Sequence, residues 1–278
     1  MVVLRSGCKT RLNRVLIGIL LGQAGVTFAQ DSILDTVIVS AERHQGALRN
    51  VPASISSVGA DELGIIDATH INEALSRVPG IWISRGNGQE SLIAIRSAVL
   101  TGAGSCGAFQ MSQDGIPLHA VGFCNVNELF EANTEQAGSI EVIRGPGSVL
   151  YGANALHGAV NVLSNPISKT AETSVGYERG PHDYNRVSFT TSNTSGDDGY
   201  RLSFNGTSDG GYKDNSGFDQ QKFAYQQRHT SGKFSITTSL SASNLNQETA
   251  GFITGHDAYK DEKLKDRKST RLNSSHVK

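Results

Sequence analysis

The stretch Ile140–Leu163, IEVIRGPGSVLYGANALHGAVNVL, decides how the rest of the chain is read. Ile140, Val142 and Ile143 at one end are strand formers, as are Val160, Val162 and Leu163 at the other. Between them stand Gly145, Pro146, Gly147, Gly152 and Gly158. Glycine supplies positive φ or close backbone approach, and proline fixes φ, so the segment is expected as strand, tight turn and second strand. Ser148 follows Gly147 where a Walker lysine would stand, so the turn is not read as a phosphate loop.

Upstream, the reading is mixed α/β. Ser54–Val58 is a candidate strand, and Asp61 and Thr69 are candidate helix N-caps. Ile71, Leu75 and Val78 share one helical face, which Pro79-Gly80 ends. Ile81–Ser84 and Leu92–Ile95 are expected strands around the polar loop Arg85–Glu90. That loop lacks the third glycine and the following helix of a dinucleotide fingerprint. Asp114-Gly115, between Ala108–Gln113 and Ile116–Leu118, is a two-residue hairpin signal.

The N-terminus reads as an export signal over residues 1–29. Arg5 to Arg14 form a basic region, Val15–Leu21 a short apolar run, and Thr27-Phe28-Ala29 a cleavage site before Gln30. The apolar run is far short of the ~20 residues of a membrane-spanning helix. Export implies an oxidising compartment, where Cys106 and Cys124 are expected as a disulfide tying the loops beside the hairpin. In the chain-entropy model a loop of that size contributes about 3 kcal/mol. The alternative, a metal pair, has only His119 nearby and no ligand spacing. Asp35–Ala41, with β-prone Val37, Ile38 and Val39 on a polar tether, is either a strand that adds to a partner's sheet edge or an ordinary first strand.

Downstream of Leu163 the style changes. Glu172–Arg179, Tyr184–Ser192, Tyr200–Ser208, Lys222–Arg228 and Lys233–Ser241 read as strands. Val187, Phe189 and Thr191 face one way, and Arg186, Ser188 and Thr190 the other. Tyr177, Tyr184, Tyr200 and Tyr212 lie near strand ends, as in the aromatic girdle of a transmembrane β-barrel. A soluble meander with one wet face fits the same alternation. Five strands cannot close in lipid, so a barrel reading implies a fragment. Residues 260–278 are charged and apolar-poor, and are set aside as a non-native tail.

Composition agrees with turn-rich β structure: 31 of 278 residues are glycine, above the usual ~7%. The four basic residues of 1–29 leave 21 basic against 26 acidic side chains in 30–278, so no nucleic-acid partner is expected. Neither paired carboxylates in a defined motif, a nucleophile elbow nor a metal cluster is present in the sequence, so no enzyme and no cofactor is expected.

Taken in order, these parts resemble the N-terminal portion of a TonB-dependent outer-membrane receptor, over roughly residues 1–250. Ile140–Ala155 with Gly158–Val162 is similar to the family's plug signature, carried here by Arg144, Gly145, Pro146, Tyr151 and Gly152. Asp114–Leu118 resembles its "DG-P" hairpin, while Ser97 and His157 stand where glycines are usual. Asp35, Thr36, Val37, Ile38, Val39, Ser40 and Ala41 are similar to the TonB box.

The resemblance implies an α+β plug domain followed by antiparallel strands of an incomplete transmembrane β-barrel. The segments would be signal peptide 1–29, box and tether 30–50, plug 51–165, first barrel strands 166–259 and tail 260–278. It implies TonB-dependent uptake, most often of a ferric siderophore, with the plug inside a barrel of about 22 strands in outer-membrane lipid of a Gram-negative cell. TonB, with its inner-membrane motor, would pair with the box. Cobalamin, haem, saccharides and other metal chelates remain alternative substrates, and an exported soluble binding domain is an alternative of another class. Arg85, Asn87, Gln89 and Phe123, on apical loops, are the expected ligand contacts, and Arg144 and Glu141 are expected to brace plug against wall through charge pairs.

Overall fold

The computed structural model describes residues 38–39, 46–47, 54–86, 88–99, 108–119, 128–212, 215–249 and 270–277. The signal peptide, box residues Asp35, Thr36, Val37, Ser40 and Ala41, Asn87, Cys106, Phe123 and Cys124 lie outside them. Of the box, Ile38–Val39 is strand β1 and pairs antiparallel with β2, Gly46–Ala47.

The plug region runs β3 (Ser54–Gly59), α1 (Ala60–Ile66), α2 (Ile71–Leu75), β4 (Ile81–Arg85), β5 (Ser91–Ile95), β6 (Phe109–Gln113), β7 (Ile116–Pro117), β8 (Ala137–Arg144), α3 (Ser148–Tyr151) and β9 (Gly158–Ser164). A 3-10 turn at Glu128–Glu131 precedes β8. Strands β3-β8-β9-β6-β7 form one mixed sheet, with β6 parallel to β9, and β4-β5 is a separate hairpin.

The quoted stretch supplies β8, α3 and β9. Its strands are central, so they are covered on both faces: Ile140, Val142 and Val160 are fully buried. They pack with Ile71, Leu75 and Val78 of the expected helical face, and with Ile93, Ile95, Met111 and Leu129. Gly158 is fixed by crowding, since a Cβ there would lie 2.2 Å from the Ile143 carbonyl oxygen. Asp114 and Gly115 both take positive φ, 51° and 78°, the requirement of a type I′ hairpin turn. Both Asp114 carboxylate oxygens accept from Ser164, at 2.8 Å from its N–H and 2.7 Å from its hydroxyl, which ties the turn to the end of β9.

The helix caps differ from expectation. Gly59 precedes α1, placing Asp61 inside its first turn, and His70 caps α2 instead of Thr69. The His70 ring accepts from the Asn72 N–H at 3.1 Å, a bond that Thr69, one residue earlier, does not make.

A second, sequentially ordered antiparallel sheet follows: β10 (Glu172–Arg179), β11 (Asn185–Ser195), β12 (Asp198–Asp209), β13 (Phe218–Ser231), β14 (Phe234–Thr249) and β15 (Thr270–Val277). The last strand falls in the segment set aside from the sequence. It pairs with β14 through backbone bonds, which an open sheet edge offers to any chain free of proline.

The polarity of this sheet is inside out. The face turned to the plug buries Arg186, Thr190, Ser192, Ser203, Asn205, Thr207, Gln220, Lys222, Ser243 and Gln247. The opposite face carries Val175, Phe189, Phe204, Phe223 and Ala242 as one cross-strand row. Val175, Tyr177, Val187, Tyr200, Ile236 and Leu240 are exposed on that face. A soluble meander packs its apolar face inward; apolar outward and polar inward is the barrel pattern.

Candidate functional site

The places where plug and wall meet are built from side chains the sequence presents in alternation. Residues i and i+2 share a strand face, so Arg186, Thr190 and Ser192 on β11, and Gln220 and Lys222 on β13, all point at the plug. Each finds a plug partner or a neighbour on the wall.

Arg186 is almost wholly buried. Its Nε and Nη2 grip both Glu178 carboxylate oxygens at 2.9 and 2.6 Å. Its Nη1 donates to the Ala68 carbonyl at 2.9 Å, and Nη2 also pairs with the Asp67 carboxylate. Asp67 closes α1 with φ at 47°, a left-handed conformation that turns the chain toward this guanidinium. The Lys222 ammonium lies 2.9 Å from each oxygen of Glu135. Gln136 Nε2 donates to the Phe189 and Phe204 carbonyls, both at 3.1 Å, and Gln220 Nε2 donates to the Phe130 carbonyl at 2.9 Å. The contact is therefore polar and extensively hydrogen-bonded.

The Arg85–Glu90 loop is closed by a bond from the Gly86 N–H to the Glu90 carbonyl at 2.8 Å. It lies at the wall end where the connections are long: Gln247, its wall partner, is paired in register with Phe218, just beyond the loop that follows β12. Gln89 is 5% exposed. Its N–H donates to Gln247 Oε1 at 2.9 Å and its side-chain amide to the Thr69 carbonyl at 3.0 Å. Gln89 is thus a clamp between plug and wall. Arg85 is open to solvent and sits 3.6 Å from Glu73, with both side chains more than a third exposed.

His70 binds the same loop, with Nε2 donating to the Glu90 carbonyl at 3.0 Å while Nδ1 caps α2. Only the neutral ring serves both partners. Burial, then the nearby Arg85 charge, lowers its pKa to about 4.

The signature residues shape the β8–β9 turn. Gly145 and Gly152 take φ of 109° and 87°, Pro146 lies between β8 and α3, and Tyr151 packs on Ile55, Ile143 and Ala159. Arg144 corrects an expectation. Its Nη1 donates to the Pro79 carbonyl at 2.6 Å, so it braces the plug internally. Burial, and then the Arg96 charge, lowers its pKa from the usual arginine value. Glu141 is buried in β8, in register with Ser57 and Asn161 of the neighbouring strands. Among the described residues Glu135 and Asp67 form charge pairs to the wall, which sequence reasoning missed. The inward phase of Arg186 and Lys222 was the signal for where such partners are needed.

Residues 47–159 match the family model described as the TonB-dependent receptor plug domain. The fold is similar to that of the ferripyoverdine receptor of the outer membrane of Pseudomonas aeruginosa, with TM-score 0.62, 16% identity, and coverage of 77% of this chain and 28% of that one. It is similar to the ferric yersiniabactin uptake receptor FyuA from Yersinia pestis, with TM-score 0.57, 21% identity, and coverage of 71% and 32%. The siderophore receptor PiuA from Acinetobacter baumannii gives TM-score 0.58, 20% identity, and coverage of 78% and 29%. The chain thus spans about a third or less of the length of these receptors. Residues 47–159 are thus matched as a TonB-dependent receptor plug domain, and the inside-out antiparallel sheet beside them has a fold similar to the first barrel strands of such receptors.

Proposed function

We propose that the complete receptor imports a chelated, scarce substrate, a ferric siderophore, across the outer membrane, with the plug gating a barrel of about 22 strands. The observation that carries this reading is the polar seat of the plug. Glu135–Lys222, Asp67–Arg186 and the Gln136 contacts hold it against the wall, and the buried apolar clusters among the described residues include no wall residue. Such a seat exchanges protein hydrogen bonds for bonds to water when the plug moves. The exposed guanidinium of Arg85 is the described candidate for an anionic chelate, and Asn87 and Phe123, outside the described residues, are proposed as further contacts. Asp35–Ala41 is the proposed TonB box: the β-prone Ile38–Val39 gives TonB a strand to pair with. The chain is proposed to be exported by residues 1–29. The three receptors of similar fold are named for siderophores, two of them for ferric ones, which favours that class over cobalamin, haem or saccharide.

The test is growth of a strain lacking the gene, with and without the complete receptor, on a panel of ferric chelates, haem and cobalamin as sole sources. Rescue by one ferric siderophore, dependent on TonB, is expected. Rescue on none of the iron sources overturns the substrate class, and recovery of the complete protein in the soluble fraction overturns the receptor.

A further inference from the structure

The outward face of the second sheet grades from charged to apolar along its strands. Alternate residues of β11, β12 and β13 line up in cross-strand rows. At one end stand Ser195, Asp198 and His229. Next come Asn193, Tyr200 and Gln227, then Thr191, Leu202 and Tyr225, and last the wholly apolar Phe189, Phe204 and Phe223. The charged row adjoins the two-residue turns Gly196-Asp197 and Gly232-Lys233, whereas the longer connection 210–217 joins β12 to β13 at the other end. In outer-membrane barrels the short turns are periplasmic, so the gradient runs from the periplasmic surface into that leaflet.

The first three rows frame a groove with about 370 Å³ of free space, whose lining includes Asn193, Asp198, Tyr200, Leu202, Tyr225 and Gln227. That is the size of a small-ligand site, about 300–1,000 Å³. Strands β10 and β14 flank it, so the wall around it is complete. Asp198 offers a carboxylate, held by His229 Nδ1 at 2.8 Å, with both side chains more than half exposed. Gln227 Oε1 accepts from the Tyr225 hydroxyl at 3.4 Å, which leaves its amide nitrogen to donate. The Asn193 amide lies in the same row. No lysine or arginine is among the residues lining the groove. A purely anionic group would meet the Asp198 carboxylate without a compensating cation. Successive rows are two residues apart, about 6.6 Å along a strand and about 5 Å along the membrane normal at a tilt of about 40°. The headgroup layer is about 5–7 Å deep, so the first two rows fall in it and the next two in hydrocarbon.

We propose that this groove binds one phospholipid of the periplasmic leaflet. Its primary ammonium pairs with Asp198, its phosphate oxygens accept from the Asn193 and Gln227 amides, and an acyl chain runs along Leu202 toward Phe204. The Tyr200 and Tyr225 rings, apolar in body and polar at the tip, suit the level where head gives way to chain. This binding rests on the outward face lying in lipid, and not on the substrate.

Lipid competition on the complete receptor tests it. The detergent-solubilised receptor is given equal amounts of phosphatidylethanolamine and phosphatidylglycerol with the same acyl chains, and retained lipid is counted by native mass spectrometry. Phosphatidylethanolamine is expected in about fivefold excess, the scale of one partly exposed ion pair. Asp198→Asn should bring the two lipids to equal retention, and Leu202→Trp, which fills the groove, should cut retention of both. Asp219→Asn, at the opposite end of β13, should leave the excess unchanged. Equal retention by the parent receptor, an excess that survives Asp198→Asn, or retention untouched by Leu202→Trp overturns the proposal. An excess lost equally in Asp219→Asn traces it to net charge and overturns it too. A parent receptor that assembles in its heat-modifiable form without the excess overturns the groove and leaves the barrel standing.

Discussion

The Lys222 ammonium on the wall is 2.9 Å from both carboxylate oxygens of Glu135 on the plug, and both side chains are more than nine-tenths buried. Removing one partner strands a buried charge, which typically costs about 3–5 kcal/mol, whereas replacing both by apolar groups of similar volume is often near neutral. Glu135→Leu and Lys222→Met are each expected to loosen the plug strongly, and the double variant to recover most of the loss. Denaturant-dependent proteolysis of the plug in the complete receptor measures this. Additive losses would show that the pair is not coupled.

His70 sets a pH dependence whose sign follows from its lowered pKa. The unfolded chain takes up the proton near pH 6.5 and the folded plug only near pH 4. Stability from His70 is therefore fully present above pH 6.5, falls as pH drops from there, and levels off below about pH 4. The swing is on the order of 3 kcal/mol. Asn keeps an N-cap acceptor without titrating, so His70→Asn should flatten the stability profile in that window. An unchanged slope would assign the pH dependence elsewhere.

Two glycines should respond differently to alanine. At Gly158 a Cβ meets the Ile143 carbonyl at 2.2 Å, so Gly158→Ala must displace backbone of the central strands. At Gly115 a Cβ meets nothing within 4 Å, and only the positive φ resists it. Gly115→Ala is expected to cost about 1 kcal/mol and Gly158→Ala several times that. Thermal unfolding of the two variants should separate clearly; equal losses would contradict the crowding at Gly158.

Phe204 lies in the outward row with Val175, Phe189, Phe223 and Ala242, while neighbouring Ser203 is 5% exposed on the plug side. An arginine on the lipid face near mid-depth costs about 2–4 kcal/mol. Phe204→Arg should reduce the membrane-assembled, heat-modifiable form of the complete receptor, and Phe204→Leu should not. Full assembly of the arginine variant would place this row outside lipid.

Ile38 of β1 pairs with Ala47 of β2. Proline there removes a backbone donor and fixes φ. Ile38→Pro is expected to abolish energised uptake by the complete receptor and leave substrate binding intact. Undiminished uptake would refute the box assignment.

What the sequence disclosed was local. Asp114-Gly115 specifies its turn by φ alone, and the Ile71, Leu75, Val78 stripe specifies a buried helical face. The phase of Arg186 against Val187 already separated the two faces of the sheet. What stayed hidden depends on distant partners. Gln89 reads as an apical ligand contact, and nothing in the sequence signals that Gln247, 158 positions on, accepts from its N–H. His70 outcompetes Thr69 as a cap because the Glu90 carbonyl, 20 positions on, satisfies its other nitrogen. Strands β13 and β14 extend to 14 and 16 residues, beyond their apolar alternation, because continuous backbone pairing sustains them.

The amide and carboxylate contacts of Gln136, Gln220 and Glu135 with the wall carry one further consequence. Interfaces built on apolar burial resist separation through dewetting, and the exposed surfaces then aggregate. Here each broken contact leaves two groups that water solvates well. Withdrawal of the plug can proceed bond by bond, and return requires only that the same donors and acceptors find their register again. The seat is reversible by its chemistry, a property the proposed gating would use.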